Sequence, residues 1–150
     1  MNRIENEEYI IGFVTLLSNK IMQYGDAILP DITFRQWFLL MMISKMEHQE
    51  KNINSIAEFV GTTRQNVKKM LNPLENKGYV IIGKSNYDAR ALNVELTEKT
   101  YEYFSENDEH TACETNKIFS AFSNEELDNL ACNLKKLLFS FETYGKDKKQ

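Results

Sequence analysis

Apolar residues recur every three or four positions over long stretches of the chain, which is the period of helices with one buried face. This spacing predicts a first helix over residues 7–29, ended by Pro30. A second helix is predicted to open at Thr33, because Thr33 and Gln36 have the spacing of a reciprocal capping box. The segment that follows, FRQWFLLMMISKM, is apolar nearly all round, so we expect this helix to be the buried centre of the fold.

Two shorter helices follow, separated by Gly61. The first covers about residues 55–60 and is started by Asn52 or Asn54. The second opens with Thr63 as its cap. Its apolar inner face consists of Val67, Met70, Leu71 and Leu74. The opposite, polar face is centred on Gln65, Lys69, Asn72 and Asn76.

The hydrophobic period changes after this helix. YVIIGK and ALNVEL are short and rich in β-branched or alternating apolar residues, and the turn-forming SNYDAR lies between them, which predicts a small β-hairpin. In its second strand, we expect the inward residues to be Leu92, Val94 and Leu96. The outward residues are then Asn93 and Glu95.

Two more helices close the chain. The first begins at Thr97 and has a polar middle, SENDEHT, which we expect to be exposed, while its apolar ends over residues 101–104 and 118–122 pack. The second opens with the capping-box pair Ser123 and Glu126. Its apolar stripe consists of Leu127, Leu130, Ala131, Leu134, Leu137, Leu138 and Phe141.

The order of these elements predicts a mostly α fold with a small β-hairpin wing. We expect one domain over residues 1–150, since this length is that of an ordinary single domain. Within it, residues 33–96 are expected to form a winged helix-turn-helix lobe. Residues 7–29 and 98–145 are expected to form a helical dimerisation lobe.

Composition narrows the class of protein. An apolar share of 42% and a charged share of 27% are those of a soluble globular protein. The longest apolar run, residues 37–43, is far shorter than the roughly 20 residues that span a bilayer. The N-terminal segment MNRIENEEY lacks the basic start and apolar stretch of a secretory signal. We therefore expect a cytoplasmic protein without a membrane partner.

Residues that commonly carry catalytic chemistry are few. The two histidines, His48 and His110, are isolated, and no glycine-rich phosphate loop or metal-ligand cluster is recognisable. We therefore predict that the protein is not an enzyme and holds no cofactor or metal.

Cys113 and Cys132 lack C-x-x-C spacing. They fit small apolar residues in helices, with a thiol sensor as the alternative.

The segment SIAEFVGTTRQNVKKMLNPLENKGYV, followed by YDAR and LTEK, resembles the MarR family of bacterial transcriptional regulators. The matching positions are Ile56, Ala57, Gly61, Val67, Leu74, Glu75, Gly78, Asp88, Ala89, Arg90, Leu96 and Thr97. The resemblance covers about residues 33–100 by motif. It implies a cytoplasmic homodimer that binds pseudopalindromic double-stranded DNA, usually as a repressor. It also implies release by a small aromatic effector or by thiol oxidation.

Charge is distributed unevenly in a way that agrees with this resemblance. Residues 61–92 carry six basic and two acidic side chains, a net charge of +4, whereas the rest of the chain carries 12 basic and 20 acidic ones, a net charge of −8. Affinity for a polyanion depends on the local surface, so an acidic protein with one basic segment can still bind DNA. The alternative is a solvated helix with ordinary surface lysines.

The predicted DNA contacts lie on the helix after Gly61 and on the wing. In a helix-turn-helix the second helix enters the major groove, so base contacts are predicted for Gln65, Lys69 and Asn72. Phosphate contacts are predicted for Thr63, Arg64 and Lys68. The wing contributes Lys84, Asp88 and Arg90. By resemblance, Arg90 enters the minor groove and Asp88 orients it, with a turn-stiffening salt bridge as the alternative.

Apolar stripes suggest where two copies pair. The predicted dimerisation residues are Ile10, Phe13, Leu17, Leu130, Leu134, Leu137 and Phe141. Intrachain core is the alternative for these stripes. By resemblance, the family's ligand cleft is expected to be lined by Phe13, Tyr24, Phe34 and Trp37. Aromatic residues at helical spacing also fit plain core.

Two departures from the family pattern affect the function. Pro73 lies inside the predicted recognition helix, where it removes a hydrogen bond to the carbonyl of Lys69 and usually bends the axis. The wing is sparsely basic, with Ala89 where many relatives have arginine. The sparse wing and the acidic net charge of the chain favour, as the alternative function, a winged-helix module that binds protein instead of DNA, as an antirepressor would.

Overall fold

The computed structural model describes residues 2–47, 51–84 and 92–146. Its elements in chain order are α1 Arg3–Ile28, α2 Phe34–Ser44, α3 Ile53–Val60, α4 Arg64–Asn76, β1 Val80–Lys84, β2 Leu92–Leu96, α5 Glu98–Phe119 and α6 Asn124–Lys146. The predicted mostly helical fold with a winged helix-turn-helix is confirmed. By packing, the chain divides into two compact units, Met1–Thr111 and Ala112–Gln150.

The first helix begins four residues earlier than its apolar pattern indicates. Asn2 caps α1, since its side chain accepts a hydrogen bond from the Glu5 amide at 2.9 Å while the Glu5 carboxylate accepts from the Asn2 amide at 2.8 Å. Arg3 and Glu7 form an ion pair one turn apart. This first turn is polar, so hydrophobic periodicity does not register it. Among the described residues, no helix is long and apolar enough to cross a membrane.

The second helix is the centre of the first unit, as predicted. Its capping box is formed: the Thr33 hydroxyl accepts from the Gln36 amide at 3.3 Å, and the Gln36 side chain accepts from the Thr33 amide at 2.9 Å. α2 packs against α1, α3, α4 and β2. The core around it consists of Ile32, Leu39, Leu40, Ile43, Met46, Ile53, Ile56, Ala57, Val67, Leu71, Leu74, Tyr79, Val80, Val94 and Tyr103.

The hairpin is antiparallel, and its register pairs Val80 with Leu96 and Lys84 with Leu92. The expected inward and outward faces of β2 are partly wrong: Asn93 is buried, and Leu92 is exposed. The Asn93 side chain accepts a hydrogen bond from the Lys51 amide at 2.9 Å and donates to the Glu95 carboxylate at 3.2 Å. Because these bonds satisfy its amide, Asn93 can be buried, where it joins the chain before α3 to the sheet.

The last two helices follow the predicted boundaries closely. α5 begins at Glu98, directly after Thr97, and α6 follows a capping box in which Ser123 accepts from the Glu126 amide at 3.3 Å. The expectation that residues 101–104 pack is partly correct, since Tyr103 is buried but Tyr101 is exposed. The expectation that residues 118–122 pack is wrong for this chain alone, since Ile118, Phe119 and Phe122 are exposed.

Candidate nucleic-acid interface

The turn between α3 and α4 depends on a single glycine. Gly61 ends α3 with φ +74° and ψ +36°, a left-handed conformation that costs side-chain-bearing residues energy. Its amide donates to the Glu58 carbonyl at 3.2 Å, and the Thr62 amide donates to the Ala57 carbonyl at 2.9 Å. These bonds satisfy carbonyls at the helix end and turn the chain sharply into α4.

The start of α4 is capped in a way that leaves a hydroxyl proton available. Thr63 accepts a hydrogen bond from the Asn66 amide at 3.2 Å, so its oxygen is an acceptor in the cap. A threonine hydroxyl also has one donor. The Asn66 side-chain amide donates to the Thr62 hydroxyl at 3.2 Å, which orders the turn. An anion such as a phosphate can therefore accept from Thr63 at this helix terminus.

The polar face of α4 lies in solvent. We call it the basic face and define it as Arg64, Gln65, Lys68, Lys69 and Asn72, all of which are exposed. The opposite side of the same helix is held in the core by Val67, Leu71 and Leu74, which are fully buried. This anchoring fixes the rotation of α4 about its axis and so keeps the basic face outward.

The cations of the basic face are not neutralised by described carboxylates. Within residues 2–47, 51–84 and 92–146, the ion pairs are Arg3–Glu7, Lys77–Asp31 and Lys117–Glu114. Lys77 counts among the six basic residues of the sequence segment, yet it is committed to Asp31. Among the described residues of this segment, the charge available to an anionic partner is therefore concentrated on Arg64, Lys68, Lys69 and Lys84.

Pro73 is accommodated inside α4, which continues to Asn76. The proline is exposed, so its ring faces solvent and not the core. The helix ends with the Lys77 amide donating to the Pro73 carbonyl at 3.1 Å. Arg64, Gln65 and Lys68 of the basic face precede Lys69, whose carbonyl loses its helical hydrogen bond to the proline.

The wing is tied directly to the recognition helix. The Glu75 carboxylate, on α4, accepts a hydrogen bond from the Ile82 amide of β1 at 3.1 Å. Lys84 is exposed at the end of β1 that leads to the wing tip. Asp88 and Arg90 lie outside the described residues, so their predicted contacts stay a prediction.

Most of the predicted dimerisation residues are exposed to solvent, on α1 in the first unit and on α6 in the second. On α1, Ile10, Phe13 and Leu17 are exposed, and on α6 so are Leu130, Leu134 and Phe141, with Leu137 half-buried. Their role stays a prediction. The alternative of intrachain core does not fit these exposures.

Two residues of the predicted aromatic cleft, Phe34 and Trp37, lie side by side, and the cleft itself stays a prediction. Phe34 and Trp37 are half-buried, with ring centroids 5.3 Å apart, whereas the ring of Phe13 is paired with Tyr9 at 4.4 Å. Phe34 is pressed against α1 at Gly25, where a Cβ atom would come within 2.1 Å of the Phe34 ring. The Phe34 amide also donates to the Asp26 carboxylate at 2.7 Å.

Sequence reasoning missed the side chains that hold the interface in place. Glu75 and Asn93 bond to amides in other elements, and no local pattern shows such partners. Asp31 offered a weak signal, because an Asp after Pro30 is common in turns and tolerates the φ of +65° that it adopts here.

A helix-turn-helix followed by an antiparallel hairpin, with an exposed basic face on the second helix, defines a winged helix-turn-helix protein. The MarR family model matches residues 31–91, which include α2, α3, α4 and β1. Over this segment the chain is similar to the MarR family.

Individual relatives are distant in sequence. The transcriptional repressor MprA of Escherichia coli K12 is 29% identical over 114 residues, which are 73% of this chain but only 64% of MprA. BldR from Sulfolobus solfataricus has the same fold, with a TM-score of 0.81 at 19% identity over 93% of this chain and 99% of BldR. MepR in the S. aureus MepR–DNA complex also has this fold, with a TM-score of 0.76 at 24% identity over 86% of this chain and 95% of MepR.

Proposed function

We propose that the protein is a sequence-specific DNA-binding regulator that acts as a homodimer, and that it is a repressor. The observation that carries this proposal is the exposed basic face of α4, anchored to the core by its opposite side. Similarity to the repressor MprA and to MepR, which was solved in complex with DNA, supports it.

Each side chain of the basic face has a geometry suited to one part of the duplex. Gln65 and Asn72 have amides that can pair bidentately with adenine, and Lys69 can donate to guanine O6 and N7. Arg64 and Lys68 can neutralise phosphates, next to the helix N-terminus with its partial positive charge. Specificity therefore comes from the first group, and salt-sensitive affinity comes from the second.

Dimerisation would use the apolar surfaces of α1 and α6. Phe13 is 52% exposed and Leu134 is 42% exposed, and exposed apolar patches mark interaction sites. A two-fold dimer would present two recognition helices to successive major grooves about 34 Å apart, so we expect a pseudopalindromic operator with that half-site spacing.

We propose a cytoplasmic regulator without enzymatic activity, whose release from DNA responds to a small aromatic compound. The half-buried pair of Phe34, which packs against α1 at Gly25, and Trp37 is the described feature that fits such an effector. Aromatic rings stack on aromatic ligands at favourable centroid distances.

Selection of bound DNA from a random pool tests the function and the dimer symmetry together. We expect enrichment of a pseudopalindrome and a binding constant that falls steeply with salt, by about 0.9 log units per log unit of salt for each phosphate contact. A winged-helix module that binds only protein would enrich no sequence and would form no DNA complex at low salt.

Single substitutions then assign the roles within the basic face. Lys68→Ala should lower the salt slope by about 1.8, because each of the two subunits loses one phosphate contact. Gln65→Ala should relax specificity at one base pair of each half-site, at a cost of about 1–3 kcal/mol per half-site. The matched control is Lys20→Ala, which removes an exposed lysine from α1 and should change affinity less than about twofold. Equal losses in Lys68→Ala and Lys20→Ala would contradict the assignment.

A further inference from the structure

A cluster of polar side chains lies behind the recognition helix, away from the basic face. Asp31, between α1 and α2, accepts a hydrogen bond from the Tyr79 hydroxyl at 2.6 Å and from the Lys77 ammonium at 3.1 Å. Lys77 also donates to the Asp31 backbone carbonyl. Because Lys77 directly follows α4 and Tyr79 precedes β1, these bonds join the α1–α2 turn to the C-terminal end of the recognition helix.

The same cluster includes the first turns of α5. The Lys99 ammonium donates to the Lys77 carbonyl at 2.6 Å and lies 4.5 Å from the centre of the Tyr79 ring. The Tyr103 hydroxyl donates to the Pro30 carbonyl at 2.7 Å, and its ring meets the Tyr79 ring edge-on at 5.5 Å. We call Asp31, Lys77, Tyr79, Lys99 and Tyr103 the Asp31 cluster. It ties three separate elements to one point.

The ionisation states agree with this arrangement. The hydrogen bond from Tyr79, followed by that from Lys77, lowers the pKa of Asp31 below its usual value. Burial raises the pKa of Tyr103 to about 12, and burial with the Asp31 hydrogen bond raises the pKa of Tyr79 as well. At neutral pH, Asp31 is therefore an anion that accepts from a neutral phenol and a cation.

We propose that Asp31 is a positioning residue for DNA binding: through Lys77 and Tyr79 it fixes the angle at which α4 leaves the body of the protein. This inference rests on the proposed function, because it concerns how the basic face meets DNA. Asp31 itself carries the wrong charge to contact a phosphate, and its carboxylate is occupied by the two donors.

Helix length explains why an anchor at one end affects contacts at the other. The 13 residues of α4 span about 20 Å at 1.5 Å per residue. A tilt of about 10° at the C-terminal end would move the N-terminal end by roughly 3 Å. Hydrogen bonds to bases are lost over such a distance, since they require donor–acceptor separations near 3 Å. Contacts to phosphates are less dependent on geometry and would largely persist.

Electrostatics alone predicts the opposite change in operator affinity on substitution of Asp31. The direction of the measured change therefore tests the proposal. Replacing Asp31 with Asn removes a negative charge near a polyanion and releases Lys77, so through charge alone it should strengthen DNA binding. Positioning predicts that the same substitution weakens binding to the operator. Only specific binding should weaken, because nonspecific binding depends mainly on phosphates.

The experiment compares Asp31→Asn with wild type on the selected operator and on a scrambled duplex. We expect operator affinity to fall about fivefold while affinity for the scrambled duplex is unchanged or slightly higher. The ratio of the two affinities is the deciding quantity, because an inactive or unfolded fraction lowers both alike. Glu58→Gln is the matched control: it removes the same charge from the exposed surface of α3 and should leave the ratio unchanged.

Tyr79→Phe supplies a second, charge-neutral test. It removes the hydroxyl that bonds Asp31 and should lower the ratio as well. With Asp31→Asn it should be non-additive, because both substitutions break one network. A ratio that stays at the wild-type value in both variants, or operator binding strengthened by Asp31→Asn, overturns the positioning role alone. If wild-type protein binds the operator and the scrambled duplex with equal affinity, the proposed function is overturned, and the positioning role with it.

Discussion

The winged-helix segment and the terminal helices use their apolar residues in different ways. Every residue of the core cluster lies between Ile32 and Val94, except Tyr103 at the start of α5. In contrast, Gly25 is the buried residue of the 26-residue α1, and the described residues of α6 include none that is buried. Both regions have helical apolar stripes, but only in the winged-helix segment is the stripe buried by other residues of the same chain. The winged helix carries its own core, whereas the terminal helices expose surfaces that suit a partner.

This difference limits what an apolar stripe can predict. Periodicity identifies the face of a helix that avoids water, but not which surface covers it. For α2 the covering surface belongs to the same chain, and for α1 and α6 we propose that it belongs to a second copy. Substitutions in the two regions should therefore produce different kinds of loss, and the following predictions separate them.

The largest effect is expected from a charge in the apolar stripe of α6. Leu134→Asp should convert a dimer to a monomer, because an unpaired carboxylate would be buried at the interface. Loss of the second half-site contact should then weaken operator binding by about a thousandfold, within the range that bivalency contributes. Light scattering after size exclusion measures the mass, and a DNA titration measures the affinity.

The control for this variant is the neighbouring Asn133→Asp, which adds the same charge to an exposed, polar position of α6. It should remain dimeric and bind the operator nearly as wild type. A Leu134→Asp protein with the mass of a dimer would show that the stripe of α6 does not form the interface.

A somewhat smaller effect is expected in the core of the winged helix. Leu71 is fully buried on the inner face of α4, so Leu71→Ala should lower the free energy of unfolding by about 3 kcal/mol through lost burial and a residual cavity. Ile81→Ala, at a residue 58% exposed on β1, should cost roughly 0.5 kcal/mol. Denaturant unfolding measures both values, and equal losses would argue against a self-contained core.

Local features of the fold could be predicted, and distant ones could not. The caps at Thr33, Thr63 and Ser123 and the turn at Gly61 depend on residues within one or two turns, so the sequence alone indicates them. Asn93 bonds Lys51, 42 residues away, and Asp31 bonds Tyr79, 48 residues away. Such pairs become visible only when folding has brought the elements together. The basic face could be predicted in part: helical periodicity identifies its residues, but the side chains that orient the helix are distant in sequence.

The smallest expected effect concerns acid stability, and it compares one carboxylate from each region. The pKa values of Asp31 and Glu126 are both lowered, Asp31 mainly by the Tyr79 hydrogen bond and Glu126 mainly by the Ser123 amide. A lowered folded-state pKa contributes stability above the unfolded value and loses it as pH falls through the folded one. The melting temperature of Asp31→Asn should therefore lie below that of wild type at neutral pH, and the two melting temperatures should converge as the pH drops below 3.8, the ordinary Asp pKa.

Glu126→Gln should show a weaker convergence with wild type, because that cap is fully exposed to solvent. Melting curves across this pH range decide the matter, and a constant offset for Asp31→Asn would mean that packing, and not the carboxylate charge, accounts for the contribution of Asp31.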